Sequence, residues 1–184
     1  MTKRLTRDDW IAHGLVVLRD KGHEALKAEP MASALGVSRG SFYWHFPSLG
    51  DFHGAILRAW RSATTERVIA DLKGLPPGRD QLATLIQRAI GNPQVIEKAV
   101  RRWGGVDPLA AACVREVDQL RFDYLDELFR NAGATGDEAA ARATLLTWAF
   151  IGRTFAPDLV AGLQGAAIDD LTMLLLGREQ EDQS

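Results

Sequence analysis

Helical periodicity is the feature that most restricts the fold of this 184-residue chain. Apolar residues recur at spacings of three and four in nearly every segment between the glycine, proline and asparagine breaks. In the first segment one face of a helix, predicted from about residue 6 to residue 21, carries Trp10, Ile11, Gly14, Val17 and Leu18. No alternating run rich in β-branched residues is present in the sequence. The sequence therefore predicts an all-α protein of about nine helices.

Glycine and proline mark the ends of the predicted helices. The stretch Gly74-Leu75-Pro76-Pro77-Gly78 is the clearest break, and we expect a domain boundary there. Residues 51–73 are predicted to form a connecting helix, and residues 74–184 a second helical domain. In that domain Asp107-Pro108 opens a helix that runs to Asn131, and two more helices are predicted over residues 137–155 and 163–176.

The composition argues against several classes of protein. Cys113 is the one cysteine, which excludes an intramolecular disulfide and a cysteine-based metal cluster. No apolar run reaches the roughly 18 residues of a membrane span, and the charged first residues are not followed by the apolar stretch of a signal peptide. The histidines are too far apart for a metal site, and no phosphate-binding loop or nucleophile motif is present. We expect a cytoplasmic protein with no cofactor, no metal and no catalytic residues.

Charge is distributed unevenly along the chain. The formal net charge is −2, but residues 1–67 carry +3 and the remainder carries −5. All four histidines also lie in the first third of the sequence. A mildly basic N-terminal part on an acidic body is consistent with a polyanionic partner.

The segment from Lys27 to Phe46 predicts a helix-turn-helix. A short helix over residues 28–35 and a second over residues 39–44 flank the turn Gly36-Val37-Ser38. Ser38 is a favourable N-cap for the second helix. Two short helices around a tight glycine turn have the geometry of the motif whose second helix enters the major groove of DNA. We therefore expect residues 1–50 to form a DNA-binding domain.

The second helix carries residues suited to DNA contact. Arg39 offers a fork of donors that matches guanine edges, Ser41 can bond a base edge or a phosphate, and Gly40 allows close approach of the backbone. Tyr43 and His45 have polar tips that can reach phosphate.

The expected environments of two phenylalanines in this region differ. For Phe42, contact with a thymine methyl group and packing in the core are equally open. Phe46 is expected in the core, since aromatic residues at this spacing are more often buried than functional.

The run from Gly36 to Phe46 resembles the signature of the TetR family of transcriptional repressors. That signature has a glycine, an aliphatic and a small residue in the turn, a short recognition helix, and then aromatic-x-His-Phe. The likeness covers residues 6–60. It implies an N-terminal DNA-binding domain joined to a variable helical domain for ligand binding and dimerisation. It also implies base-edge contacts at Arg39, Gly40, Ser41 and Tyr43, and phosphate contacts at Tyr43, Trp44 and His45.

Three positions depart from the family pattern. Lys27 stands where a Thr or Ser N-cap is usual, so the first motif helix loses a cap and gains a cation that can bind phosphate. Leu49 replaces a lysine, which removes one expected phosphate contact, and Gly50 replaces a glutamate. The predicted DNA-binding residues are Lys27, Ser38, Arg39, Gly40, Ser41, Phe42, Tyr43, Trp44 and His45.

The C-terminal helices are too apolar for one buried face each, which predicts a second apolar contact with another subunit. The predicted homodimer interface comprises Leu145, Trp148, Phe155, Leu171 and Leu175. The candidate walls of a ligand pocket are Ile86, Trp103, Val117, Phe122, Trp148 and Ile151. These side chains predict a mostly apolar or aromatic small-molecule effector, whereas Arg102 or Arg121 turned inward would indicate an anion.

The function implied is a sequence-specific DNA-binding transcriptional regulator, a repressor released from its operator by a small-molecule ligand. As a dimer it would bind an imperfectly palindromic double-stranded operator. The alternative is a helical-bundle enzyme or adaptor that only resembles a helix-turn-helix. That alternative has little support, because no histidine follows His53 and acid–base catalysis would have to rely on few residue types.

Overall fold

The computed structural model describes residues 5–91, 95–160 and 166–176. Every regular element in these ranges is helical, which confirms the all-α prediction. The α-helices are α1 (Arg7–Lys21), α2 (Ala28–Ala34), α3 (Arg39–His45), α4 (Leu49–Arg61), α5 (Arg67–Lys73), α6 (Arg79–Gly91), α7 (Val95–Gly104), α8 (Pro108–Asn131), α9 (Gly136–Phe155) and α10 (Ala166–Leu176). A π-helical segment (Ser62–Glu66) joins α4 to α5, and 3-10 helices lie at His23–Ala25 and Pro157–Val160. In the described ranges, no helix is both long and apolar enough to span a bilayer.

The chain folds into two compact units. The first unit comprises Met1–Glu66 and Gln94–Val117, and the second comprises Arg67–Pro93 and Asp118–Ser184. α7 and the beginning of α8 thus belong to the same unit as the helix-turn-helix segment. The boundary expected at residue 74 stays a prediction for the functional domains.

Local caps explain where α1 and α4 begin. The amide of Thr6 donates to Asp9 Oδ2 (2.8 Å), and the amide of Asp9 donates to Thr6 Oγ1 (3.2 Å), so the two residues form a capping box. At α4 the Ser48 hydroxyl oxygen accepts from the amide of Asp51 (3.1 Å). Each cap satisfies amides that the first turn of a helix leaves without a partner.

The turn of the helix-turn-helix requires a glycine. Gly36 has φ of 67°, in the left-handed region that favours glycine. The Gly36 amide donates to the Ser33 carbonyl (3.1 Å), and the Val37 amide donates to the Ala32 carbonyl (3.0 Å). This pair of bonds is a Schellman motif, which ends α2 and redirects the chain into α3.

An aromatic cluster forms the centre of the first unit. Trp10, Phe42, Phe46 and Phe52 are all fully buried. Phe42 meets Trp10 edge-on with ring centroids 5.5 Å apart, and Phe46 meets Phe52 at 4.9 Å. α1, α3 and α4 each contribute rings, so these three helices are held together by one packed core.

The second unit has its own apolar core, which contains one unusual hydroxyl. Leu82, Ile86 and Phe129 are fully buried there. Tyr124 is 7% exposed, and among the described residues its hydroxyl has no hydrogen-bond partner. Burial, with a smaller effect of Glu127, raises the pKa of Tyr124 above its usual value, so the hydroxyl is neutral at physiological pH.

We expect Gly14→Ala to lower the free energy of unfolding by about 1–3 kcal/mol, because α1 packs closely on α4 there. An added methyl group would lie 2.4 Å from Ile56 Cδ1 and 2.8 Å from Phe52 Cζ, on side chains that are fully buried. The higher helix propensity of alanine, about 1 kcal/mol, offsets only part of this cost. Urea unfolding measures the change. Gly50→Ala is the matched control, since its methyl would lie 3.6 Å from Ser48 Oγ. Equal effects of the two changes would contradict the close packing.

Candidate nucleic-acid interface

α3 presents a polar surface to solvent and an aromatic one to the core. Ser38, Arg39, Gly40, Tyr43 and Trp44 are exposed, and Ser41 and His45 are partly exposed. Eight of the nine predicted DNA-binding residues therefore have accessible side chains or backbone, Lys27 included.

Phe42 is the exception and lies in the core. Its ring is fully buried and contacts Trp10, Phe46 and Phe52, with centroids between 5.2 and 5.5 Å apart. Packing, not a thymine methyl group, is thus the environment of this side chain. The ring lies on the inner face of α3, and periodicity alone could not predict which face of this short helix is buried.

Arg39 and Tyr43 form an ordered pair on the outer face of α3. A guanidinium nitrogen (Nη2) of Arg39 donates to the Tyr43 hydroxyl (3.2 Å), and Cζ of Arg39 lies 5.5 Å from the centroid of the Tyr43 ring. This hydrogen bond raises the pKa of Arg39 further above its already high usual value. The pair is one helical turn apart, so the backbone of α3 itself sets its geometry.

The C-terminal end of α3 carries two further aromatic side chains. The indole of Trp44 is 76% exposed, the second-largest exposure among the large hydrophobic side chains of the described residues. The His45 ring lies 6.5 Å from the Trp10 ring and is partly buried. The Trp44 indole is exposed to solvent, whereas His45 is held against α1.

The N-terminal ends of α2 and α3 have hydroxyl and cationic groups that are not used as caps. Lys27 occupies the N-cap position of α2, and neither Lys27 nor Ser38 makes a side-chain capping bond. Ser38 is the N-cap of α3 by position, as predicted, but its hydroxyl remains available for another partner.

Sequence reasoning missed one cation next to this surface. Cζ of Arg7, at the start of α1, lies 4.9 Å from the centroid of the Phe46 ring. The i, i+3 spacing between Arg7 and the buried Trp10 could have placed Arg7 on the face of α1 that packs toward α3.

The candidate pocket residues are divided between the two units. Trp103 and Val117 are buried in the core of the first unit. Ile86 is buried in the second unit, and Phe122 packs against the same core. Trp148 is 68% exposed, and Ile151 is partly exposed. The pocket assignment stays a prediction, and within its own subunit Trp148 is no wall of a closed pocket.

Trp103 lies between two histidines of the first unit. The His23 ring stacks on it with centroids 5.9 Å apart and an interplanar angle of 9°. The His53 ring meets it edge-on at 5.0 Å, and His53 Nε2 lies 3.0 Å from the Leu26 carbonyl. Trp103 is thus a structural contact between α7 and the segments around α2.

The candidate interface residues have two different environments. Leu145, Trp148 and Phe155 on α9 are 57%, 68% and 48% exposed. On α10, Leu175 is 9% exposed and Leu171 packs on the core of the second unit, whereas Met173 and Leu174 are 58% and 78% exposed. The exposed apolar surface of α10 therefore lies at Met173 and Leu174, and Leu171 and Leu175 serve the chain's own core.

Cys113 is partly buried. It packs against the core of the first unit, and burial raises the pKa of its thiol. In the part of the chain that the structure describes, no three His, Cys, Asp or Glu side chains gather as a metal site would require.

The helix-turn-helix segment and the whole fold both have known counterparts. Residues 11–50 match the family described as bacterial regulatory proteins, tetR family. No curated protein matches the sequence.

Three solved structures share the fold at low sequence identity. A protein described as a transcriptional regulator from Saccharomonospora viridis, in complex with choline, is 19% identical, with 92% of each chain covered and a TM-score of 0.69. A TetR transcriptional regulator from Legionella pneumophila is 12% identical, with 95% of this chain and 97% of that chain covered and a TM-score of 0.67. The superantigen PfiT is 20% identical, with 92% and 93% covered and a TM-score of 0.68.

These likenesses establish the all-α fold, while the family match falls on the helix-turn-helix itself. The matched residues include α2, the Gly36 turn and α3 with its outward Arg39–Tyr43 pair. The match over the helix-turn-helix, together with the shared fold, supports a DNA-binding transcriptional regulator.

Proposed function

We propose that the protein is a dimeric, cytoplasmic repressor that binds an imperfectly palindromic operator and leaves it when a small molecule binds the second unit. The observation that carries the DNA-reading part is the solvent-facing Arg39–Tyr43 pair on α3. A gel shift with the DNA upstream of the protein's own coding sequence, with and without scrambled competitor, tests it. Specific binding is the expected result, and an enzyme or adaptor would give none.

Base reading is assigned to Arg39 in this proposal. A guanidinium can form two parallel hydrogen bonds to guanine O6 and N7. The bond to Tyr43 restricts the side chain before DNA arrives, so less conformational entropy is lost on binding. The further base-edge candidates on α3 are Gly40, Ser41 and Tyr43. Phosphate contacts are assigned to Lys27, Ser38, Tyr43, Trp44 and His45.

We expect Arg39→Ala to weaken operator binding and to relax the preference at one position of each half-site. One bidentate pair discriminates between bases by about 1–3 kcal/mol, roughly 5- to 150-fold. Lys27→Ala, which removes only a phosphate contact, should weaken binding to every sequence alike and lower the salt slope by about 2 for a dimer.

Titrations of operator and scrambled duplexes at several salt concentrations separate these two effects. Arg88→Ala is the control, because this exposed arginine of the second unit is paired with Asp71 (3.4 Å). If Arg39→Ala lowered the affinity for both duplexes equally and also lowered the salt slope, Arg39 would be another phosphate contact.

Dimerisation is assigned to the exposed apolar side chains of α9 and α10. Leu145, Trp148 and Phe155 recur at spacings of three and seven on α9, which is close to one helical face. Met173 and Leu174 add apolar surface on α10. Contiguous exposed apolar surface of this kind is typical of a subunit interface, and a two-fold axis would bring identical surfaces together.

We expect Trp148→Glu to convert the protein to a monomer and to weaken operator binding strongly, since a charge buried at the interface would be unpaired. Sedimentation at micromolar concentration measures the oligomeric state. Val106→Glu is the matched control, since Val106 is 70% exposed in the first unit. If Trp148→Glu dimerised as tightly as the wild type, the interface would lie elsewhere.

The effector is proposed to bind in the second unit as a mostly apolar or aromatic molecule that carries a hydrogen-bonding group. The support is the Tyr124 hydroxyl, which is buried in an apolar core, neutral, and unpartnered among the described residues. A buried polar group without a partner costs about 1–3 kcal/mol, and a ligand would remove that cost. Ile86 and Phe122 supply apolar surface in the same unit. The choline complex of the S. viridis protein is a precedent for a small molecule on this fold.

We expect Tyr124→Phe to leave the free energy of unfolding unchanged or to raise it by about 1 kcal/mol, because it removes an unsatisfied buried hydroxyl. Compounds that raise the melting temperature of the wild type and release it from the operator should bind this variant at least about tenfold more weakly. A thermal-shift screen of choline, aromatic acids and neutral aromatic compounds supplies the probes. Tyr43→Phe alters the only other tyrosine and is the control for the thermal shift, in which no DNA is present. A marked loss of stability in Tyr124→Phe would mean that the hydroxyl has a structural partner.

A further inference from the structure

A guanidinium lies next to the point where the recognition helix ends. Arg7 is exposed, and its Cζ lies 4.9 Å from the centroid of the Phe46 ring. Phe46 is the C-cap of α3, and its ring is fully buried between α3 and α4 by contacts with Phe42 and Phe52. The cation of α1 therefore rests on a rigid part of the helix-turn-helix.

Packing of α1 fixes the position of Arg7. Trp10 follows Arg7 by three residues and so lies on the same face of α1. The Trp10 ring is buried against Phe42 and lies 6.5 Å from the His45 ring, at the C-terminal end of α3. A planar guanidinium that stacks on an aromatic ring loses less freedom on binding than an unsupported side chain does.

The acidic neighbours of Arg7 do not neutralise it. Asp8 and Asp9 are the acidic residues in the first turn of α1, and Asp9 Oδ2 accepts from the amide (2.8 Å) and the hydroxyl (2.7 Å) of Thr6. None of the ion pairs between residues that the structure describes involves Arg7. The positive charge is therefore available to a partner in solution.

α3 by itself has an arginine at its N-terminal end and no arginine or lysine at its C-terminal end. Arg39, at the first position, is the only arginine or lysine within α3. Seven residues make a helix about 10 Å long, and the major groove of B-DNA is about 12 Å wide. A helix whose N-terminal residues contact base edges has its C-terminal end near one of the two strands that border the groove. Arg7 supplies the cation at the C-terminal end that α3 itself lacks.

We propose that Arg7 binds a backbone phosphate of the operator, on the strand that borders the C-terminal end of α3. A guanidinium matches the geometry of two phosphate oxygens and can bind them together. The contact comes from α1, outside the helix that enters the groove, so it positions the protein and reads no base. The inference rests on the DNA-binding function and adds a phosphate contact from a helix outside the motif.

The test is the salt dependence of binding by Arg7→Gln, which keeps a planar polar end group on a shorter side chain and removes the charge. Titrations of the upstream operator duplex and of a scrambled duplex are run from 50 to 300 mM salt. Each lost phosphate contact lowers the slope of log K against log salt by about 0.9, so a dimer should lose about 2. Affinity at about 0.1 M salt should fall roughly tenfold per contact and equally for both duplexes. Arg7→Lys should keep the slope.

Two controls separate this role from a structural one. Arg19→Gln removes an arginine at the other end of α1 that is paired with Asp20 (2.6 Å), and its slope should equal that of the wild type. Unfolding of Arg7→Gln reports the stabilisation by the Phe46 contact. Lower stability with an unchanged salt slope would overturn the phosphate contact and leave the DNA-binding function standing. A wild type that binds neither duplex would overturn both, and a loss confined to the operator would make Arg7 a base contact.

Discussion

The position of α3 depends on the packing of four aromatic rings. Isolated helices shorter than about 12–15 residues are marginal in water, and α3 has seven residues. Phe42 and Phe46 attach it to Trp10 of α1 and Phe52 of α4, with ring centroids between 4.9 and 5.5 Å apart. The burial of these rings supplies both the stability and the orientation of the recognition helix, because it fixes which of its side chains are left outside.

Helix ends could be predicted closely from the sequence because they are set by local signals. The prediction for α8 matches the observed Pro108–Asn131, and the prediction for α1 differs from Arg7–Lys21 by one residue. The π-helical segment Ser62–Glu66 was not predicted. In it the Thr64 hydroxyl donates to the Trp60 carbonyl (2.8 Å). Such a bond competes with the hydrogen bonds of the helix backbone, and apolar periodicity does not predict it. The start of the last predicted helix, at residue 163, lies outside the described residues.

Side-chain environments could be predicted less well, because periodicity identifies an apolar residue without identifying its partner. For Phe42 and Leu175 the apolar pattern is compatible both with a surface contact and with a place in the core. The structure places both residues in the core. Leu49 shows the same ambiguity at a position where the family pattern has a lysine. It is partly buried and packs against the aromatic core of the first unit. The departure thus exchanges a charge near DNA for apolar packing beneath the motif.

The contacts of α7 join this helix to the segments on both sides of the helix-turn-helix. Trp103 lies between His23 and His53, and His53 is bonded to the Leu26 carbonyl, directly before the N-cap of α2. The Asp107 amide donates to the Trp103 carbonyl (3.0 Å), so α7 passes into α8 through one tight turn. α8 then continues without a break to Asn131, with residues 108–117 in the first unit and residues 118–131 in the second. Through Trp103 the first unit therefore fixes α7, and the turn that leads into α8, against the segments on either side of α2.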